Sequence, residues 1–199
     1  MLNREDAMKL LDWASAQNPG PWRAHSLNAA RAAEAIAKHS GLDPERAWVS
    51  GALHDIARFE GVRAMHHTVA GYNFLMEKGE PELARVCMTH SFPTGRVEEY
   101  LGKWDVTDEE LQFMREYLAN CEMDDYDRLI QLCDALALAE GISLIEKRLV
   151  DVALRHGITE YTVPKWRKTM EIRRYFEEKI GASIYTLFDD VVEMTFGIK

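Results

Sequence analysis

Val49-Ser50-Gly51-Ala52-Leu53-His54-Asp55-Ile56-Ala57 sets two adjacent ionisable side chains inside a run of small and apolar residues. Burying an imidazole and a carboxylate costs free energy unless each is paired or ligated. The run shows no strand-like alternation, and Pro44 upstream suits the first turn of a helix, so a helix is expected from Pro44 to about Ala57. That helix would carry a polar pair into a core.

The pattern on either side is helical almost throughout. A first helix is expected over 4–17, stopped by the breaker cluster Asn18-Pro19-Gly20-Pro21. A second runs from about Ala24 to His39, with Leu27, Ala30, Ala33 and Ala37 on its apolar face, and Ser40-Gly41 ends it. Arg58 to Arg63 reads as a loop. Helices follow from Ala64 to Glu77, closed by Gly79, and from Glu80 or Pro81 towards His90, before the turn Pro93-Thr94-Gly95. Residues 96–106 read as a loop with a short helix. Thr107 and Glu110 form a capping box for a helix to Asn120. Further helices are expected over 125–139, from a Ser143/Glu146 cap to just before His156-Gly157, over 165–180, and over the apolar tail 183–196. No internal repeat or Ser/Gly linker divides the chain, so the expected fold is all-α, with residues 1–199 in one domain.

Several polar residues recur in helical settings: His25, His54-Asp55, His67, His90 and Asp134. On a helix His25 shares its side with Ala29 and Ala32, Asp55 with Gly51 and Ala47, and His67 with Gly71. Asp134 lies beside Ile130 and Ala137. Small neighbours allow helices to approach until residues distant in sequence share one ion. Histidine and carboxylate ligands suit divalent iron, zinc, manganese, cobalt or nickel. One ion is expected on His25, His54, Asp55 and Asp134. A second would sit on His67 and His90 if Asp55 bridges. Two ions about 3.5–4 Å apart polarise a phosphoryl group and lower the pKa of a shared water.

With 199 residues the chain can bury a substantial core. Its 24 basic and 33 acidic residues leave a net charge of -9, which disfavours general attraction to nucleic acid or anionic lipid. A small phosphorylated substrate is compatible with that charge, because a bound cation changes the local field. Cys87, Cys121 and Cys133 are isolated and odd in number, and read as reduced thiols. The charged start Met1-Leu2-Asn3-Arg4-Glu5-Asp6 leads into no apolar h-region, and nothing approaches 18 consecutive apolar residues. A cytoplasmic protein is the expectation.

The ordered ligands, with the context Leu53-His54-Asp55-Ile56-Ala57-Arg58, resemble those of the HD-domain metal-dependent phosphohydrolase superfamily. His25 matches the family's first histidine, His54-Asp55 its doublet and Asp134 its last aspartate. His67 and His90 match the extra histidines of the bimetallic six-ligand subgroup, and glycine four residues after His67 favours it over adjacent His66. The resemblance spans about residues 22–140 and implies a helical HD-type core with a C-terminal helical extension. The implied activity is metal-dependent hydrolysis of a phosphoester or phosphoanhydride in a small molecule or nucleotide, with one or two divalent ions as cofactor. Some bimetallic relatives are di-iron oxygenases, and a non-catalytic metal-containing sensor or binding module is the third reading. Self-association into a homo-oligomer is left open.

Among residues that would touch substrate, His54 and Asp55 are expected to carry catalysis through the metal. Arg58, three residues on, is expected to pair with phosphate, and His66 to contact substrate or donate a proton. Arg96 is a third candidate, against an ordinary solvent-facing role, and Lys147 and Arg148 read as solvent-facing. Lys165-Trp166-Arg167-Lys168 with Arg173-Arg174 is the one basic cluster, read as a solvated helix face, with a phosphate-binding rim or a partner surface as the alternative. Trp13, Trp22, Trp48, Trp104 and Trp166 are dispersed and read as packing or pocket-wall residues.

Overall fold

A computed structural model describes residues 2–198. Ten α-helices and three short 3-10 segments follow one another, with one isolated β-bridge between Ala137 and Ile142 and no named strand among the described residues. The chain opens with α1 (Arg4–Gln17), whose first turn is capped by Asn3 accepting the Asp6 N–H at 2.9 Å. After the expected break, α2 (Trp22–Ser40) closes on Gly41 at φ +79°, and α3 (Pro44–Leu53) starts behind an Asp43 cap. Then come α4 (His66–Glu77), α5 (Pro81–Thr89), α6 (Asp108–Asn120) and α7 (Asp125–Leu136). The C-terminal third supplies α8 (Ile145–His156), α9 (Thr162–Ile180) and α10 (Val191–Phe196).

Small residues set how α2 and α3 meet. A Cβ at Gly51 would stand 2.7 Å from Ala30 Cα and 2.8 Å from Ala30 N, so the two helices touch backbone to side-chain-free backbone. A second seam joins α4 to α5, where a Cβ at Gly71 would lie 3.0 Å from Cys87 Cβ. The apolar faces then divide the interior. One cluster joins α2, α7 and α9 through Ala33, Ile36, Leu129, Cys133, Ile172 and Phe176. A second joins α1 to α3 and α5, and a third packs α4 and α5 against α6 through Met65, Met88 and Met114. Because Ile172 and Phe176 belong to the first cluster, α9 packs directly on α2 and α7.

Where expected boundaries fail, tertiary contacts explain the difference. The helix expected to run to Ala57 stops at Leu53; Ile56–Glu60 instead forms a 3-10 turn. Ending there frees the last carbonyls of α3 for other donors: Gly51 O accepts from His54 Nδ1 at 2.7 Å, and Leu53 O accepts from the Cys87 thiol at 3.3 Å. Helix α7 ends at Leu136 rather than 139, since the carbonyls of Ala137, Leu138 and Ala139 turn towards α2 and accept from His25 and Asn28. Its start carries an Asp124/Asp127 capping box absent from the sequence reading, and Asp127 also accepts from the Thr89 hydroxyl at 2.7 Å.

The Thr107/Glu110 box forms as expected. The Ser143/Glu146 box does not. Helix α8 begins behind Leu144, whose N–H donates to Thr195 Oγ1 while Ile145 N–H donates to Tyr185 Oη, and Glu146 pairs with Arg173 at 2.7 Å. Long-range partners have replaced the local cap. The tail expected as one helix is split into a 3-10 turn at Ile184–Leu187 and α10, with Asp190 between them accepting from Arg31 and from Ile142 N–H. All three cysteines are free, and no helix among the described residues is long and apolar enough to cross a membrane.

Candidate metal centre

The six ligand candidates converge where α2, the ends of α3 and α5, the start of α4, and α7 meet. His25 is in the first turn of α2, His54 caps the C-terminus of α3, and Asp55 follows it into the 3-10 turn. His67 is the second residue of α4, His90 caps the C-terminus of α5, and Asp134 lies in the last turn of α7. Two ligand sets result, His25/His54/Asp55 and Asp55/His67/His90, each with ligand atoms within 4.8 Å of one another. Asp134 joins the first, with Oδ1 at 3.0 Å from His25 Nε2 and 3.7 Å from His54 Nε2. In the second, Asp55 Oδ1 is 3.1 Å from His67 Nε2 and 3.6 Å from His90 Nε2.

Backbone carbonyls fix the chemistry of all four imidazoles. His25 Nδ1 lies 3.1 Å from Ala137 O, His54 Nδ1 2.7 Å from Gly51 O and His90 Nδ1 2.8 Å from Cys87 O; His67 Nδ1 faces Ala64 O. A carbonyl only accepts, so each Nδ1 carries the proton and each neutral ring turns an Nε2 lone pair inward. For His54 and His90 the acceptor is a carbonyl in the last turn of their own helix, left without an intrahelical donor. The same outer hydrogen bond orients metal-ligating histidines generally.

These lone pairs face one another. His25 Nε2 and His54 Nε2 are 3.3 Å apart, and His67 Nε2 and His90 Nε2 are 3.1 Å apart. Two acceptors cannot hydrogen-bond without an added proton, whereas a cation between them satisfies both. Asp55 Oδ1 repeats the pattern: it is buried and accepts no hydrogen bond. The donor set of four imidazoles and two carboxylates suits borderline divalent ions. The residues therefore fit one or two such ions.

Electrostatics agree at Asp55, Asp134 and His90. Burial works against ionisation of Asp55, but Arg58, His67 and His54 hold its carboxyl well below the ordinary carboxylate range. Asp134 is likewise held well below that range, its burial outweighed by His25 and His54. Burial among the other imidazoles pushes His90 down to about 3, which keeps its lone pair available. The opposite net direction holds at His54, where burial is outweighed by Asp55 and Asp134 and the pKa rises.

The centre opens onto a cleft of about 850 Å³. Asp134 and His25 form its open edge, with side chains 29% and 13% exposed, while His54, Asp55, His67 and His90 are at most 4% exposed. Arg58 lines the cleft and donates from Nε to Asp55 Oδ2 at 2.5 Å and from Nη1 to Arg63 O at 3.1 Å. His66 goes elsewhere: its ring is held between Glu60 and Glu110, each at 3.3 Å, and it does not line this cleft. Arg96 lines a separate cleft of about 580 Å³. Lys147 donates to the carbonyls of Met194 and Thr195.

Two residues that the sequence placed on solvated faces line the main cleft instead: Arg148 from α8 and Lys165 from α9. Nothing in the local pattern marks them, because α8 and α9 reach the cleft only through tertiary packing. With Arg58, Arg63, Lys103 and Arg155 they give a protein of net charge -9 a cationic wall beside the candidate metal ligands.

A search of the curated proteins finds no significant match. The HD domain family model matches residues 22–139, a segment that begins just before His25, contains all six converging residues and stops three residues after α7. By that match, over more than half its length, the chain belongs to the HD domain family.

Proposed function

We propose that the protein is a metal-dependent phosphohydrolase cleaving a phosphoester or phosphoanhydride bond in a small phosphorylated molecule or nucleotide. HD domain proteins are in general metal-dependent hydrolases. The observation that carries the reading is the pair of ligand sets sharing Asp55, at the floor of a cleft whose wall is cationic.

The chain's own residues divide the work. His25, His54, Asp55 and Asp134 would hold one divalent ion, and Asp55, His67 and His90 a second. Ions bound there would polarise the phosphoryl group and make water a nucleophile at neutral pH. Four carbonyls hold the imidazoles in the ligating tautomer. Arg58 steadies Asp55 through Nε, and from the cleft wall it offers a fixed positive charge to a phosphate. Asp134, the most exposed ligand, leaves an open edge by which water and substrate reach the floor. The same ligands would serve a di-iron oxygenase or a metal-containing sensor; the cationic wall supports an anionic substrate, and the HD family membership supports hydrolysis of it.

The test is turnover. Protein loaded separately with Fe, Mn, Zn, Co or Ni is offered a panel of phosphomonoesters, phosphodiesters and nucleotides, and phosphate release is measured. Loss of turnover in His54→Ala and Asp55→Ala with the helical circular dichroism intact is expected. Absence of release from every substrate, with oxygen consumed by the iron-loaded protein, would replace the hydrolase reading with the oxygenase one.

A further inference from the structure

Lys165 stands in the first turn of α9, beyond the family-matched segment, yet it lines the cleft together with Asp55, His67, His90 and Asp134. Its Nζ donates to Ser91 O at 2.9 Å and approaches Glu99 O at 3.5 Å. Both are neutral carbonyls. No carboxylate of the described residues forms an ion pair with it within 4.0 Å, although most other cations of the protein have one. An ammonium drawn away from water is stabilised by a counter-charge. Glu99 does not supply it at contact: its carboxylate is buried, Oε1 accepts the Thr94 N–H at 2.9 Å and Oε2 has no partner. On balance burial lowers the Lys165 pKa, against Glu99 and Asp134, whose carboxylates lie within electrostatic reach of it. Two of the three ammonium protons are directed at carbonyls, leaving one for the cleft.

We propose that Lys165 binds an oxyanion of the substrate beside the metal centre, so that the reacting end of the substrate is an anion gripped from α9 as well as by Arg58. This rests on the phosphohydrolase reading and adds to it a substrate-binding residue outside the HD core. The two cations approach from different elements, Arg58 from the 3-10 turn after Asp55 and Lys165 from α9, and the fields of both reach Asp134. A phosphoryl group between them meets positive charge on two sides and completes the solvation of the lysine. A neutral substrate would leave that ammonium without a counter-charge at contact.

The experiment titrates inorganic phosphate into metal-loaded wild-type protein and into Lys165→Met, Lys165→Gln and Lys165→Arg, with metal content and thermal melting measured in parallel. A hydrogen bond to a charged group is worth roughly 1.5–3 kcal/mol, so Met and Gln are expected to weaken phosphate binding about 10- to 150-fold. Arg is expected to restore most of the affinity, with metal content unchanged in all three. On a hydrolysed substrate the same loss is expected in KM more than in kcat. The inference is overturned if wild type binds no phosphate, or if the Met and Gln variants bind it like wild type. It is also overturned if their loss is reversed by adding Glu99→Gln, which would make Lys165 only a counter-ion for Glu99. Failure to release phosphate from any ester, with Lys165-dependent phosphate binding intact, would refute the hydrolase reading and leave this inference standing. Normal turnover with unchanged KM in Lys165→Met does the reverse.

Discussion

Substituting Gly51 with alanine tests whether backbone contact between α2 and α3 sets the geometry of the metal centre. The added Cβ would stand 2.7 Å from Ala30 Cα and 3.0 Å from Ala29 C, both backbone atoms that no rotamer change can move. Carbon atoms rest about 3.5–4.0 Å apart, so α3 must retreat from α2 by about 0.8 Å at the contact. Overpacking of this kind costs about 1–3 kcal/mol, with rigid backbone placing it near the top, and alanine returns about 1 kcal/mol of helix propensity. The net expectation is about 2 kcal/mol, a fall of roughly 4–8 °C in melting temperature for a chain of this size. The retreat also separates His25 from His54, whereas ligand distances tolerate only about 0.2 Å. Gly51→Ala is therefore expected to lose affinity at the His25/His54/Asp134 position by at least about tenfold, within the range that orienting residues of a metal site command. Calorimetric melting of the chelated protein and metal analysis after dialysis read the two effects separately. A variant that melts within a degree of wild type and keeps its full metal content would refute the reasoning.

Three further outcomes follow from the same geometry. Gly71→Ala meets a thiol side chain rather than backbone, so it should cost only about 1 kcal/mol and disturb the His67/His90 position alone; a larger loss than Gly51→Ala in the same melts would contradict this. His90→Ala leaves Asp55 and His67 as the remaining pair of the second set, and elemental analysis should fall from two metal equivalents to one, whereas Asp55→Asn, which removes the shared carboxylate, should lose both. In the metal-free protein, His90 is shifted down to about 3, so its contribution to stability is full above the ordinary histidine pKa of about 6.5 and is lost as pH falls towards 3. His54, shifted up, contributes with the opposite sign, and its stabilisation fades as pH rises through its folded value. Through His90 the melting temperature should drop between about pH 6.5 and about 4, and His90→Ala should flatten that drop; an unchanged slope in that variant would show the assignment to be wrong.

Most helices were legible because their signals are local. Proline at the start of α3, the Thr107/Glu110 box and the Gly41 stop each act within one or two turns, and the structure keeps them. The six converging residues were legible as an ordered series. What the sequence could not show was set by contacts distant along the chain. Helix α3 ends at Leu53 because Cys87 and His54 take its last carbonyls, and α8 is capped by Thr195 and Tyr185 rather than by Ser143. Lys165 reads as one lysine in a basic run; only the packing of α9 on α2 and α7 turns it into the cleft. His66, conversely, was drawn to attention by its neighbour His67, and a helix that buries one of two adjacent residues directs the other away, here to Glu60 and Glu110.

Asp55 belongs to both ligand sets, and its two oxygens are already divided: Oδ1 faces His67 and His90, while Oδ2 receives Arg58 and lies 3.9 Å from His54. An ion taken up on one side would orient this carboxylate for the other while its charge repels a second ion, so loading of one set would alter the affinity of the other. By linkage that alteration would be the same in both directions. The shared carboxylate thus makes the two positions one thermodynamic unit rather than two independent ones.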